Sequence, residues 1–402
     1  MKKKEQEYFW LYTVCVMVAA FSLRSLITTV GPVVKDIKAD LNISSGIAGM
    51  LTTIPIIIFS VTAFFAGAVL PRFRVRVSAP VCFGLTAAGA VIRSYCGPVG
   101  LYLGTLLLGL GIGTLNVLIP ALNREKMPLR IGVLTGIYNV SLNLMAGMGS
   151  GFTYRLSRVI GGWRPAIAIW GIFPLIAVPL WIRLCRRPEF NDREGESFSP
   201  FTAAKKYLSG KVWAISILMA LQSFIYYSLV IAWCPTMLTD KGISSGLAGT
   251  MTIFLQAVSL VPAYFIPVNA VHPERRSVIS MIGGCSYLLS TVIYLIFDSV
   301  PAMLICCFLW GISSGSCFSY VLALISLSGG SKAETTWISG FVQMVGYAFA
   351  AIGPVLFGFI VDAAGEWTIP MIVVMILSAG YTAAGIISGK AVERTADPEK
   401  GI

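Results

Sequence analysis

The sequence predicts an all-α membrane protein of twelve transmembrane helices, arranged as two pseudo-symmetric six-helix halves. Three observations predict it. Of the 402 residues only 12% are charged and 56% are hydrophobic, about half the charge of a soluble chain and too little to cover a water-facing surface. The apolar residues fall into twelve runs long enough to cross a bilayer, for which a helix needs roughly 20 residues. Segments of the first half also recur, in order, in the second half.

The first run, 9 to 34, follows Met1–Lys4 in the manner of a secretory signal. It is too long for one and carries no A-x-A cleavage site, so it reads as the uncleaved first span. Runs at 45 to 70, 77 to 95, 100 to 121, 131 to 154 and 165 to 182 complete an N-terminal half, 1–182. The one long polar connection, 183–211, contains RLCRRPEF, an acidic stretch and a KK pair. Runs at 212 to 238, 245 to 267, 277 to 297, 301 to 327, 337 to 361 and 369 to 389 form a C-terminal half, 212–389, before a tail at 390–402. Counting Lys and Arg on alternate sides places 22 with the termini and the even-numbered connections and six with the odd-numbered ones. That asymmetry puts both termini and the central loop in the cytoplasm.

The internal repeat is the most specific signal. ISSGIAG at 43–49 recurs as ISSGLAG at 243–249, and LLGLGIGTLNVLIPAL at 107–122 matches LWGISSGSCFSYVLAL at 309–324. LTGIYN from Leu134 corresponds to ISGFVQ from Ile338, and each is followed by a span ending near a GW or EW pair. Three ordered matches at offsets of 200 to 204 mean a duplicated six-helix unit.

The net charge of +12 is spread in short clusters between apolar runs, which is topology and not a nucleic-acid face. None of the 18 Asp and Glu residues lies well inside a predicted span, and the single His272 is in the loop after span eight. Proton relays in transporters use intramembrane Asp, Glu or His, so a carboxylate-based antiporter of organic cations is not expected. The same absence leaves no acid–base pair, activated nucleophile or metal cluster, so neither an enzyme nor a cofactor is expected. The nine cysteines have no ligand or disulfide spacing, and the seven inside apolar runs, Cys15, Cys82, Cys234, Cys285, Cys306, Cys307 and Cys317, read as small buried hydrophobes. The glycine strings Gly109, Gly111, Gly113 and Gly147, Gly149, Gly151 sit inside apolar 20-mers and read as helix-packing seams, not phosphate loops.

Against this background Arg24 is the leading candidate. It lies midway along span one, where a charge costs roughly 2.5 to 3.5 kcal/mol on insertion scales, and no intramembrane carboxylate can pair with it. A fixed positive charge without a fixed negative one suits an anion; the alternative is a structural Arg capping backbone carbonyls. Arg93, nearer the outer end of span three, reads as an interfacial anchor. Asn139 in span five corresponds through the repeat to Gln343 in span eleven, and Asn143 to Tyr347. Each pair is spaced i, i+4 and shares a helix face, suited either to a solute or to bonding between helices. In span seven Gln222 and Tyr226 are one turn apart with Tyr227 beside them, at the level of Arg24. Asn116, Tyr138 and Gln256 are further candidates, each equally able to satisfy a backbone group.

The segments FSLRSLITTVGPVV at 21–34, LTTIP at 51–55, NVLIPALNREKMPLRIGVLTGIYN at 116–139 and GGWRPAIAIW at 161–170 carry a family resemblance. LQSFIYYSLVIAWCPTMLTDKGIS at 221–244 and SGFVQMVGYAFAAIGPVLFG at 339–358 extend it over most of the chain. Together they resemble the cyanate and 2-nitroimidazole transporter (CynX/NimT) family of the major facilitator superfamily. The resemblance implies the major facilitator fold, alternating access to a central site, and small, often anionic or nitro-bearing solutes. It also implies a multi-pass protein of a bacterial inner (plasma) membrane, here expected as a monomer with the lipid bilayer and a small-molecule solute as its partners. One departure is PRFRVR at 71–76, which keeps the basic part of the loop after span two but lacks the Asp that many facilitators have near that turn. The sequence leaves open an exporter of neutral heteroaromatic or nitro compounds, and a substrate sensor without transport.

Overall fold

The computed structural model describes residues 2–69, 74–127, 130–187, 190, 200–329 and 332–396. All regular structure in them is helical, as hydrocarbon demands: without water, backbone N–H and C=O groups must bond internally, and a helix does so within one segment. In chain order the α-helices are α1 (Lys2–Thr28), α2 (Val34–Leu41), α3 (Ser45–Val69), α4 (Val75–Tyr95), α5 (Gly97–Lys126), α6 (Ile131–Val159), α7 (Trp163–Ala168), α8 (Ile172–Cys185) and α9 (Pro200–Tyr207). They continue with α10 (Gly210–Ile225), α11 (Cys234–Asp240), α12 (Ser245–Ala270), α13 (Pro273–Ile296), α14 (Val300–Ser328), α15 (Lys332–Ala350), α16 (Ile352–Ala364) and α17 (Thr368–Ala396). Among the described residues eleven helical stretches are long and apolar enough to cross a membrane. The remaining expected span, 131 to 154, coincides with the 29-residue α6. Of the central connection, residues 188–189 and 191–199 lie outside the described set, as do 70–73 of the PRFRVR loop and 397–402 of the tail.

Two large buried clusters form the core, one drawn mainly from α1, α3–α6 and α8 and the other mainly from α10–α17, with a small third one joining α2 and α7 at one end. In the first, α1 packs on α6 and α8, and α4 on α5 and α8; in the second, α10 packs on α15 and α17, and α13 on α14 and α17. The clusters meet where α3 runs along α15 and α16, and α6 along α12. Small residues permit that approach: a Cβ on Gly151 would stand 2.8 Å from the Gly249 carbonyl oxygen, and one on Gly49 would stand 2.6 Å from that of Pro354. Of the glycine strings expected from the sequence, Gly147 and Gly151 join α6 to α12 across the two clusters, while Gly109, Gly111, Gly113 and Gly149 pack within the first. Of the seven cysteines expected to be buried, Cys285 is instead exposed, because it lies on the outer face of α13.

Spans one and seven are both interrupted, at repeat-equivalent places. In span one α1 stops at Thr28, a 3-10 turn covers Gly31–Val33, and α2 resumes at Val34. Pro32 lacks an N–H and cannot continue the ladder, so the last carbonyls of α1 need other donors. Arg93 supplies them. Its Nη1 donates to the Leu26 carbonyl at 2.8 Å and its Nη2 reaches the Thr29 hydroxyl at 3.4 Å, with the residue 1% exposed. This corrects the expected interfacial anchor, because the break in span one creates a buried acceptor that the sequence of span three does not reveal. In span seven a π-helix, Tyr226–Trp233, separates α10 from α11.

The end of the bundle where α2 and α11 finish is closed. Lys35 pairs with Asp240 at 2.7 Å and Lys38 with Asp362 at 3.8 Å. Asp362 also accepts from the Gly46 backbone N–H at 3.0 Å. Arg155 of α6 donates to the Gly246 carbonyl at 3.1 Å and the Thr250 hydroxyl at 3.0 Å on α12. Deeper in the bundle, Thr53 donates to the Ala351 carbonyl at 2.6 Å and Ser60 to that of Met344 at 2.8 Å.

Replacing Arg93 by Met removes the charged donor but keeps most of the volume, leaving the Leu26 carbonyl with the Thr29 hydroxyl alone, at 3.2 Å. The expected loss is about 1–3 kcal/mol, read as a lower unfolding temperature of the purified protein in detergent. Unchanged stability would show that the Thr29 hydroxyl caps the break without Arg93.

Candidate functional site

Arg24 sits on α1 one turn before the break in span one. The groups that act on its charge are the phenols of Tyr227, Tyr226 and Tyr347, with Tyr227 within hydrogen-bonding reach of the guanidinium. Tyr138 of α6 also faces it. Four tyrosines from three separate spans therefore lie close enough to one guanidinium to act on its charge, and no carboxylate is among the groups that do. A phenol oxygen accepts from the guanidinium while its O–H stays free to donate elsewhere. Such a group of phenols spreads and steadies the positive charge without cancelling it.

The π segment explains how two adjacent residues both serve this group. Its wider turn, closed by i→i+5 bonds, brings consecutive side chains nearer to one face than an α-helix would. The Tyr226 and Tyr227 rings meet edge to face at 5.4 Å between centroids, and Tyr227 meets Tyr347 at 5.9 Å. Tyr347 is held in turn by Phe59 of α3 at 6.0 Å. Phe224, which the repeat aligns with Arg24, instead packs on Phe349 and Phe357.

Beyond these, the Gln256 amide of α12 lies beside the Tyr226 phenol, and Tyr138 donates to the Asn116 side-chain carbonyl at 3.4 Å. Arg24, Asn116, Tyr226, Gln343 and Tyr347 keep part of their surface accessible, whereas Tyr138, Tyr227 and Gln256 are buried. Partial accessibility midway along a packed helix means that Arg24 borders open space inside the bundle.

The remaining candidates are placed differently. Gln343 donates to Ser339 on its own helix at 2.9 Å, one turn before Tyr347. Asn139 is exposed, and its carbonyl accepts from the Asn143 side chain at 2.9 Å. Gln222 is buried, with Ser223 donating to its Oε1 at 3.0 Å. Tyr287 of α13, which the sequence did not single out, lies near Tyr226; one tyrosine in an apolar span carries no signal of its own. Among the described residues no group of three His, Cys, Asp or Glu side chains could hold a metal ion.

Chemically, the arrangement is rich in donors and carries a net positive charge. It favours a small anion, or a group with strongly negative oxygens, and it disfavours a cation.

The sequence profile described as Major Facilitator Superfamily matches residues 14–351. An uncharacterized transporter, YycB of Bacillus subtilis (strain 168), is 32% identical over 390 residues, covering 96% of this chain and 95% of that protein. The 2-nitroimidazole transporter of Escherichia coli (strain K12) is 30% identical over 380 residues, covering 93% of this chain and 94% of that one. Among solved structures, a bacterial homolog to the human lysosomal transporter Spinster, in an inward-facing and unoccupied conformation, aligns with a TM-score of 0.73 at 14% identity over 98% of both chains.

Proposed function

The chain belongs to the Major Facilitator Superfamily and is a membrane transporter rather than an enzyme, and from that premise we propose that it carries a small anionic or strongly dipolar solute by alternating access. Arg24 is the centre of the binding site in this reading. The observation that carries it is a guanidinium midway along span one whose partners are phenols only. At an effective dielectric of about 20, an anion 4 Å from that charge gains roughly 4 kcal/mol, so the charge dominates affinity. Tyr226 and Tyr347, which keep part of their surface accessible, orient the solute with their O–H groups, and Tyr138 and Tyr227 back them. Asn116 and Gln256 lie behind them, Asn139 and Gln343 line the path to the site, and Gln222, buried against Ser223, supports the wall of span seven.

The transport unit in this proposal is a monomer of two six-helix halves, 1–182 and 212–389, joined by a cytoplasmic loop at 183–211. Both termini and the tail at 390–402 are then cytoplasmic, and the protein sits in the plasma membrane of a bacterium. With no carboxylate at the site, coupling rests on the solute's own charge or on an ion at the rim.

The solute class is cyanate-like or a nitro-heterocycle. One observation favours a second reading, export of neutral nitro or heteroaromatic compounds: the 30% identical relative is a 2-nitroimidazole transporter, and an aromatic ring can stack among the tyrosines.

Thermal stabilisation of the purified protein by cyanate, nitrate, 4-hydroxybenzoate and 2-nitroimidazole, followed by uptake into proteoliposomes, tests both readings. The expected result is stabilisation by an anion that weakens on the order of 10²-fold or more in Arg24→Ala, with part of the affinity kept in Arg24→Lys. Full transport by Arg24→Ala would remove Arg24 from the site. Stabilisation by 2-nitroimidazole alone, surviving Arg24→Ala, would favour export.

A further inference from the structure

Gln256 has one polar atom the site does not use. The residue is 5% exposed, its Cβ lies 3.3 Å from where a Cβ on Gly147 of α6 would stand, and its amide lies beside the Tyr226 phenol. Its side-chain carbonyl Oε1 is buried and has no partner among the described residues. We infer that this oxygen selects solutes carrying an N–H or O–H donor beside the group that Arg24 holds. The inference rests on the reading of Arg24 above.

The chemistry around Arg24 is otherwise all donor: a guanidinium with five N–H bonds and the phenol O–H groups. An acceptor-only solute such as cyanate satisfies Arg24 and leaves Oε1 unmet. A solute that presents an acceptor group at one edge and a donor at another satisfies both, and one tyrosine side chain separates the two contacts. Buried polar groups that go unmet are costly, and sites built to bond a donor reject analogues that lack it. The class is a small planar heterocycle or arene bearing both a nitro or carboxylate group and an N–H or O–H.

The test measures binding of two probe pairs to the purified full-length protein: 2-nitroimidazole against 1-methyl-2-nitroimidazole, and 4-hydroxybenzoate against 4-methoxybenzoate. Within each pair the second member replaces the donor hydrogen by methyl. The wild type is expected to prefer the donor-bearing probe by about 10- to 100-fold, and Gln256→Met to reduce that preference to within about threefold. Comparing the ratio across the variant cancels the bulk of the methyl group. Gln256→Asn, which keeps an amide, checks that any loss is not misfolding. Arg24→Ala is expected to weaken both members equally, so a failed charge reading shows in absolute affinity and a failed inference shows in the ratio. A preference unchanged in Gln256→Met, or no binding of either pair to the wild type, would overturn it.

A separate observation lies at the closed end. Trp163 donates its Nε1–H to Asp40 at 3.2 Å, and its repeat-equivalent Trp367 donates to Asp240 at 2.9 Å. In the first copy the next residue, Arg164, completes the clamp by pairing with Asp40 at 2.7 Å. In the second copy that position is Thr368, and Asp240 pairs instead with Lys35 of span one at 2.7 Å. We propose that the loss of a basic residue after Trp367 turned an ion pair internal to one half into a latch between halves, with Trp367 as the positioning residue. Both partners are partly exposed, at 55% and 37%, so the bond is weak, as a latch opened in every cycle must be.

Spin labels at Val159→Cys and Glu366→Cys, with Cys96 and Cys285 replaced by Ser, report the opening of this end. Thr368→Arg gives Asp240 a cation of its own half and is expected to raise the open population about two- to fivefold, as is Asp240→Asn. Swapping the charges, Lys35→Asp with Asp240→Lys, is expected to restore closure. Distance distributions unchanged by Thr368→Arg and by Asp240→Asn would overturn the latch.

Discussion

Backbone hydrogen bonding in a medium without water is the constraint on which the rest of this molecule depends. It forces every described crossing segment to be helical, and it permits a helix to break only where another group meets the freed carbonyls. Span one breaks beside Arg24, and the break is affordable because Arg93 brings its donors to the Leu26 carbonyl. Two arginines in the same half thus have opposite roles. One is consumed by the backbone, and the other is left with phenols and open space.

That division settles the electrostatics. A guanidinium stays charged in proteins, so Arg24 is a permanent positive centre, and phenols temper it without neutralising it. In the proposed reading such a centre disfavours a cation and offers an anion or nitro group both a charge and O–H donors. The tyrosines come from α6, the π segment and α15, so the group draws on both core clusters and depends on how closely they approach.

Duplication supplied the frame and divergence supplied the chemistry. Both copies interrupt their first span at equivalent places, yet one uses a 3-10 turn and the other a π-helix. Both clamp an aspartate with a tryptophan, yet only the first copy follows that tryptophan with an arginine. Each asymmetry falls where the halves touch each other or the site, and at such places identical halves would give identical partners and no polarity.

The sequence by itself determined the class, the span pattern and the charge, because hydrophobic length, repeat spacing and the absence of intramembrane carboxylates are one-dimensional properties. It singled out Arg24, Tyr138, Tyr226, Tyr227, Tyr347 and Gln256, since polar groups in apolar runs are visible without coordinates. What only the tertiary structure decided is which of them meet. The repeat sets Arg24 at the level of Tyr226 and Tyr227, but only the packing brings both of them, with Tyr138 and Tyr347, to the one guanidinium. Arg93 looks from its position like an anchor, yet it caps a break in a different span. Both outcomes depend on the rotation of one helix against another, which side-chain packing and backbone satisfaction fix in three dimensions and which no linear spacing encodes.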